Sequence, residues 1–255
     1  MRALVTALYI TGALLSVLGF YRPRVLKWAM VCTSAGLFWQ SAYLVQVARS
    51  TGQIPVTTLG SWGSVFVWVI VVLALTALWV SQGRYRAMAG FLLPIGATFW
   101  LVDLSLASTG HRLHLSGWLP LHIGLATLAV VGLLLSAVMG LMYTEKEREL
   151  RQKSVEVFYY RLPALQEMDR WSARFAAFGL GFWLLALLAG HLAETTVARP
   201  PFSPVVQVWS IFTAAMYVLY FALRVLRGWR GRPAAVMVMV LFLLVLMNLL
   251  ALTLS

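Results

Sequence analysis

The sequence predicts an all-α membrane protein, a bundle of eight transmembrane helices with both termini on the outer side (N-out/C-out). Three observations predict it. The 255-residue chain is 61% hydrophobic and only 11% charged, with a mean hydropathy of +0.84, whereas soluble domains run about 45–50% apolar and ~25% charged. Its apolar residues fall into blocks of about 20, the length that crosses a ~30 Å hydrocarbon layer at 1.5 Å per residue. Its basic residues alternate between successive connections, sixteen on one side and four on the other, as the positive-inside rule requires.

Apolar runs read against charged and Pro/Gly-rich breaks give spans at about 3–20, 28–48, 64–80, 88–107, 119–143, 173–192, 205–225 and 234–253. They form a single integral membrane domain, 1–255, in a bacterial plasma (inner) membrane. The first span follows Arg2 and superficially resembles a secretory signal, yet Tyr21-Arg22-Pro23-Arg24 stands where a small-x-small cleavage site would be, so the span is expected to be retained. The second holds the one cysteine, Cys32, which lacks an intrachain partner and any CxxC context and reads as a small core residue. The fourth carries Pro94, an expected kink, and Asp103 near its outer end. That carboxylate is expected to pair with Arg112 or with an outer histidine.

The inner connections hold Arg22, Arg24 and Lys27, then Arg84 and Arg86, then seven basic residues from Lys146 to Arg174, then Arg224, Arg227, Arg230 and Arg232. Arg2, Arg49, Arg112 and Arg199 lie outside. The net charge of +12 therefore needs no nucleic acid to explain it; the lipid bilayer is the partner it implies. Trp62 and Trp118 fall near the outer interface, and Trp28, Trp79, Trp171 and Trp229 near the inner one, as an aromatic belt. The substantial soluble segment is the cytoplasmic loop 144–171. Its first half has Glu147–Arg151 and Glu149–Lys153 in the favourable i,i+4 order, which predicts a short solvated helix extending the fifth span.

All four histidines fall on the outer half: His111 and His114 in the loop after the fourth span, His122 early in the fifth, and His191 at the end of the sixth. Neutral imidazole ligates haem iron, and an ionisable residue inside a span calls for a functional hypothesis. Helical steps from His122 reach Ala126, Ala129, Leu133, Ser136 and Gly140, a stripe of mostly small residues that lets helices approach in lipid and turns His122 into the bundle. There it either ligates a metal or bonds to a neighbouring carbonyl or to Asp103. His191 shares a face with Leu187, Leu184 and Leu180, while the small face of its helix (Gly179, Ala186, Gly190) is rotated away. His111 and His114 lack the cysteine or carboxylate that a zinc site would add. No hydrolytic triad, phosphate-cradling glycine loop or carboxylate dyad appears, so no enzyme activity is assigned.

Three stretches resemble the cytochrome c assembly proteins, the family of the CcsA-type haem-handling proteins and the HemX/YpjD-type proteins. LPLHIGLATLAVVGLL (119–134) resembles the family's histidine-bearing span and places its outer histidine on His122. LPALQEMDRWSARFAAFGLGFWLLALLAG (162–190) resembles its leucine-rich linker, aspartate and Gly-Phe span. WSIFTAAMYVLYFALRVLRGWRGRPA (209–234) resembles its penultimate span, with the Arg…Gly-Trp-x-Gly turn on Arg224, Gly228, Trp229 and Gly231. The departures are informative. The Trp-rich, Trp-Asp segment of CcsA-type members is replaced by a tryptophan-free connection, 193–204; the penultimate-span histidine falls on Ala222; and the C-terminal histidine has no counterpart. The chain thus resembles the HemX/YpjD branch more than a working haem exporter.

The resemblance implies a haem-associated accessory membrane protein of cytochrome c assembly and maturation, with haem as cofactor and His122 as its contact. Beyond what the resemblance implies, His191 is expected as an opposite axial ligand, with Asp103 and Trp209 in support. The alternative it implies is a HemX-type membrane regulator of tetrapyrrole biosynthesis, acting through the 144–171 loop on a cytoplasmic enzyme, glutamyl-tRNA reductase, without haem chemistry. The partner is then either a cytochrome c maturation protein or that haem-biosynthesis enzyme.

Overall fold

A computed structural model of the chain describes residues 1–52, 59–80, 86–106, 117–153, 162–196 and 203–254. Eight α-helices and no strand lie among the described residues: α1 (Arg2–Tyr21), α2 (Leu26–Thr51), α3 (Leu59–Val80), α4 (Arg86–Leu106), α5 (Leu119–Arg151), α6 (Leu165–Thr196), α7 (Pro204–Leu226) and α8 (Arg232–Leu254). Seven of these, all but α2, are long and apolar enough to cross a membrane. At 26 residues α2 has the length, but Gln40, Ser41 and Gln46 dilute its apolarity.

α5 and α6 run past the expected spans, with 33 and 32 residues, more than a ~20-residue crossing needs. The expected 144–171 loop is therefore helical at both ends, and its middle, 154–161, lies outside the described residues. Charge pairing continues α5 beyond Tyr143: Arg151 meets Glu147 at 2.8 Å and Arg148 meets Glu145 at 3.0 Å. Glu149 turns inward and is buried. Lys153 has already left the helix, at φ 53°.

The chain divides into two compact units, Met1–His114 with Val155–Pro163, and Leu115–Ser154 with Ala164–Ser255. In the first, α1 packs between α2 and α4, and α3 closes the ring between the same two helices. α1 and α2 meet antiparallel through small residues: Gly12 faces Thr33, and Gly36 lies so close to the Tyr9 ring that a Cβ there would sit 2.7 Å from it. A polar chain crosses this unit. The Tyr9 hydroxyl donates to Gln40 Oε1, Gln40 Nε2 donates to the Ser64 carbonyl at 2.8 Å, and Ser64 Oγ donates to Asp103 Oδ2 at 2.6 Å. Trp100 Nε1 donates to Thr6 Oγ1 at 2.9 Å, and its ring stands edge-on to Tyr9. Gln40 is fully buried, so its amide bonds inside the unit, which is what a side chain shielded from water requires.

In the second unit, α5 packs on α6 and α8, and α7 on the same two helices. The α5–α6 seam is antiparallel and built from small residues. A Cβ on Gly132 would lie 2.9 Å from the Gly179 Cα, and Ser172 Oγ donates to the Ser136 carbonyl at 3.0 Å. Gly140 is covered by α8, where a Cβ would lie 2.8 Å from the Ala235 carbonyl oxygen. The stripe Ala129, Leu133, Ser136 and Gly140 is buried throughout, as expected of small residues at a helix interface in lipid.

Candidate functional site

His122 stands one turn into α5, with Pro120 at the helix start, where proline's missing N–H costs no hydrogen bond. Further along the same seam Gly190 of α6 lies under the imidazole; a Cβ there would be 2.8 Å from Nδ1. The Nδ1 atom lies 2.6 Å from the Ala186 carbonyl oxygen. A carbonyl only accepts, so Nδ1 carries the hydrogen, and in the neutral ring the lone pair belongs to Nε2. A second-side hydrogen bond of this kind fixes tautomer and orientation in metal-ligating histidines; it also satisfies an interior histidine. Ala186, Gly190 and Glu194 follow at i,i+4 and share one face of α6. Glu194 is within electrostatic reach of the imidazole, and its Oε1 accepts from Gln207 Nε2 of α7 at 2.5 Å.

The other expected site residues are placed differently. His191 comes one residue after Gly190 and is exposed, about 100° around the helix from the face that carries the His122 ring. Asp103 is buried in the first unit and bonded by Ser64. Its expected partners Arg112, His111 and His114 lie outside the described residues. Trp209 sends its indole N–H to the Leu244 carbonyl of α8 at 3.0 Å, tying α7 to α8. Among the described residues no cluster of three or more His, Cys, Asp or Glu side chains is disposed to hold a metal ion.

Three features escaped the sequence reading. Glu194 lies within electrostatic reach of the histidine and is held by Gln207; the i,i+4 spacing 186–190–194 was the available signal for Glu194. Tyr217 and Tyr220 of α7 are fully buried; the Tyr217 hydroxyl has no hydrogen-bond partner among the described residues, and Tyr220 lies against Arg224. Asp169 forms an ionic clamp: Arg224 Nη1 reaches its Oδ1 at 3.1 Å, Nη2 its Oδ2 at 2.5 Å, and the Gly231 N–H its Oδ1 at 3.0 Å. The aspartate of the second resembling stretch thus meets the arginine and last glycine of the third.

The family profile described as "Cytochrome C assembly protein" matches residues 28–255. The chain belongs to the cytochrome c assembly protein family. The match covers α2 to α8, well beyond the three stretches from Leu119 onward. No curated protein and no solved structure matches significantly. A cytochrome c assembly protein has a role in cytochrome c maturation, and the family's association with haem handling makes haem the cofactor to test against this site. One imidazole fits. The Nδ1–H of His122 is held by the Ala186 carbonyl, so the neutral ring carries its lone pair on Nε2, the nitrogen through which it would ligate iron. His191 is not brought onto that ring.

Proposed function

We propose that the chain is a haem-associated accessory protein of cytochrome c assembly, of the HemX/YpjD-type branch, in a bacterial plasma membrane. The single observation that carries the reading is the His122–Ala186 hydrogen bond, which presents a neutral imidazole with its Nε2 lone pair oriented. His122 would hold the iron; the expected second contact, His191, is exposed and turned off the face of Gly190, so the reading rests on His122. Bound haem would supply a redox-active iron. The protein's own part is to orient the imidazole, with Glu194 within electrostatic reach and fixed by Gln207.

In this reading the whole chain is one membrane domain crossing eight times, N-out and C-out, with 144–171 on the cytoplasmic face. The buried bonding of Gln40 to Tyr9 and Ser64 supports α2 as the eighth span, since a polar side chain satisfied within the bundle does not oppose insertion. The test is spectroscopic. Protein purified with haem should show a Soret band that weakens in His122→Ala and is little changed in His191→Ala, while gel filtration shows both variants folded. A preparation that ignores haem, or a band indifferent to His122→Ala, would overturn the reading.

A further inference from the structure

We propose that the α7–α8 turn, from Arg227 to Arg232, is a binding site for the phosphate of an anionic phospholipid headgroup. Arg227, Arg230 and Arg232 are exposed. Arg227 and Arg230 have no carboxylate within ion-pair distance among the described residues. Arg232 comes no closer than 4.0 Å to Glu147, and that carboxylate is already held by Arg151 at 2.8 Å. Asp169, beneath the turn, is matched by Arg224. Arg227 and Arg230 are therefore left unpaired by any described carboxylate and Arg232 is held only at the 4.0 Å limit of an ion pair, and guanidinium is the side chain best shaped to grip phosphate oxygens.

The turn is hydrogen-bonded at both ends, which separates it from an ordinary basic tail. The amides of Arg227 and Trp229 both bond to the Leu223 carbonyl, at 3.0 and 3.4 Å. Gly228 and Gly231 take φ values of +66° and +71°, which side-chain-bearing residues rarely adopt. Asp169 fixes the far end through the Gly231 amide.

The neighbouring residues argue for a lipid over an acidic protein. Val225 and Leu226 immediately precede the turn and are 79% and 81% exposed. Trp229 lies within it, a residue type at home at the level of headgroups. A phospholipid covers both kinds of surface at once, its phosphate on the arginines and its acyl chains over Val225 and Leu226. A soluble acidic partner would leave that apolar pair uncovered.

Native mass spectrometry of the full chain in detergent, with phosphatidylglycerol or phosphatidylcholine added in equal amounts, tests the site. Wild type should retain phosphatidylglycerol about fivefold or more over phosphatidylcholine, an effect in keeping with the usual attraction of juxtamembrane arginines to anionic lipid. The preference should fall to near unity in Arg227→Gln/Arg230→Gln/Arg232→Gln and persist in Arg148→Gln/Arg151→Gln, whose arginines are already paired on α5. Should the triple variant fail to accumulate, single substitutions are read instead, each expected to lower the preference about twofold or more. A preference equal in wild type and turn variants, or equally lost from the α5 control, overturns the site. Equal retention of soluble glycerol phosphate overturns the lipid assignment, as does uptake of hexaglutamate without any phosphatidylglycerol preference.

Discussion

Ser64 Oγ donates to Asp103 Oδ2 at 2.6 Å, joining the start of α3 to the far end of α4. The Asp103 carboxylate is buried and sits over Gly63, where a Cβ would come within 2.5 Å of Oδ1. Losing the donor leaves a buried charge-bearing group less satisfied, so Ser64→Ala should cost about 1–3 kcal/mol. Gly63→Ala should lower the melting temperature as well, by displacing the carboxylate. Thermal unfolding in detergent is the measurement; wild-type melting of both variants would contradict a structural role for this pair.

The Asp169–Arg224 pair should behave as a buried bridge, since the two side chains are only 12% and 13% exposed. Removing either partner alone strands the other, so Arg224→Gln or Asp169→Asn should each destabilise by about 3 kcal/mol or more. Asp169→Asn/Arg224→Gln should lose less than the two single effects added together. Strict additivity in such a double-mutant cycle would show that the two groups do not interact.

Glycines along α5 should respond according to what lies over them. Gly132→Ala places a methyl 2.9 Å from the Gly179 Cα, where backbone cannot yield, and should cost about 1–3 kcal/mol through overpacking. Gly124 has open space, so Gly124→Ala should be neutral or stabilise by up to about 1 kcal/mol through helix propensity. Equal effects at both positions, read by thermal unfolding, would count against the seam as the source of the close α5–α6 approach.

Much of the site's helix frame could be read directly from residue order. The small stripe through Ala129, Ser136 and Gly140 marked a buried face of α5, and the rotation of His191 away from Ala186 and Gly190 followed from 3.6-residue periodicity. Helix ends were less legible. The sixth crossing was expected to begin with the apolar residues at 173, but α6 starts at Leu165, whereas the extension of α5 to Arg151 was legible in its i,i+4 charges, of which Glu147 and Arg151 pair. Polar partners were the least legible. Asp103 accepts a hydroxyl from Ser64, 39 positions away, a contact that residue order did not announce.

The sequence by itself determined an all-helical, membrane-embedded chain of this family, because transfer of backbone and side chains into hydrocarbon depends on composition and length, which are local properties. Only the tertiary structure decided that His122 rests on Ala186 and Gly190, that Asp169 holds both Arg224 and Gly231, and that Gln40 links Tyr9 to Ser64. Such contacts depend on the register and rotation of one helix against another. These are set by the joint fit of small and large side chains over whole interfaces, which no single helix carries in its own residue pattern.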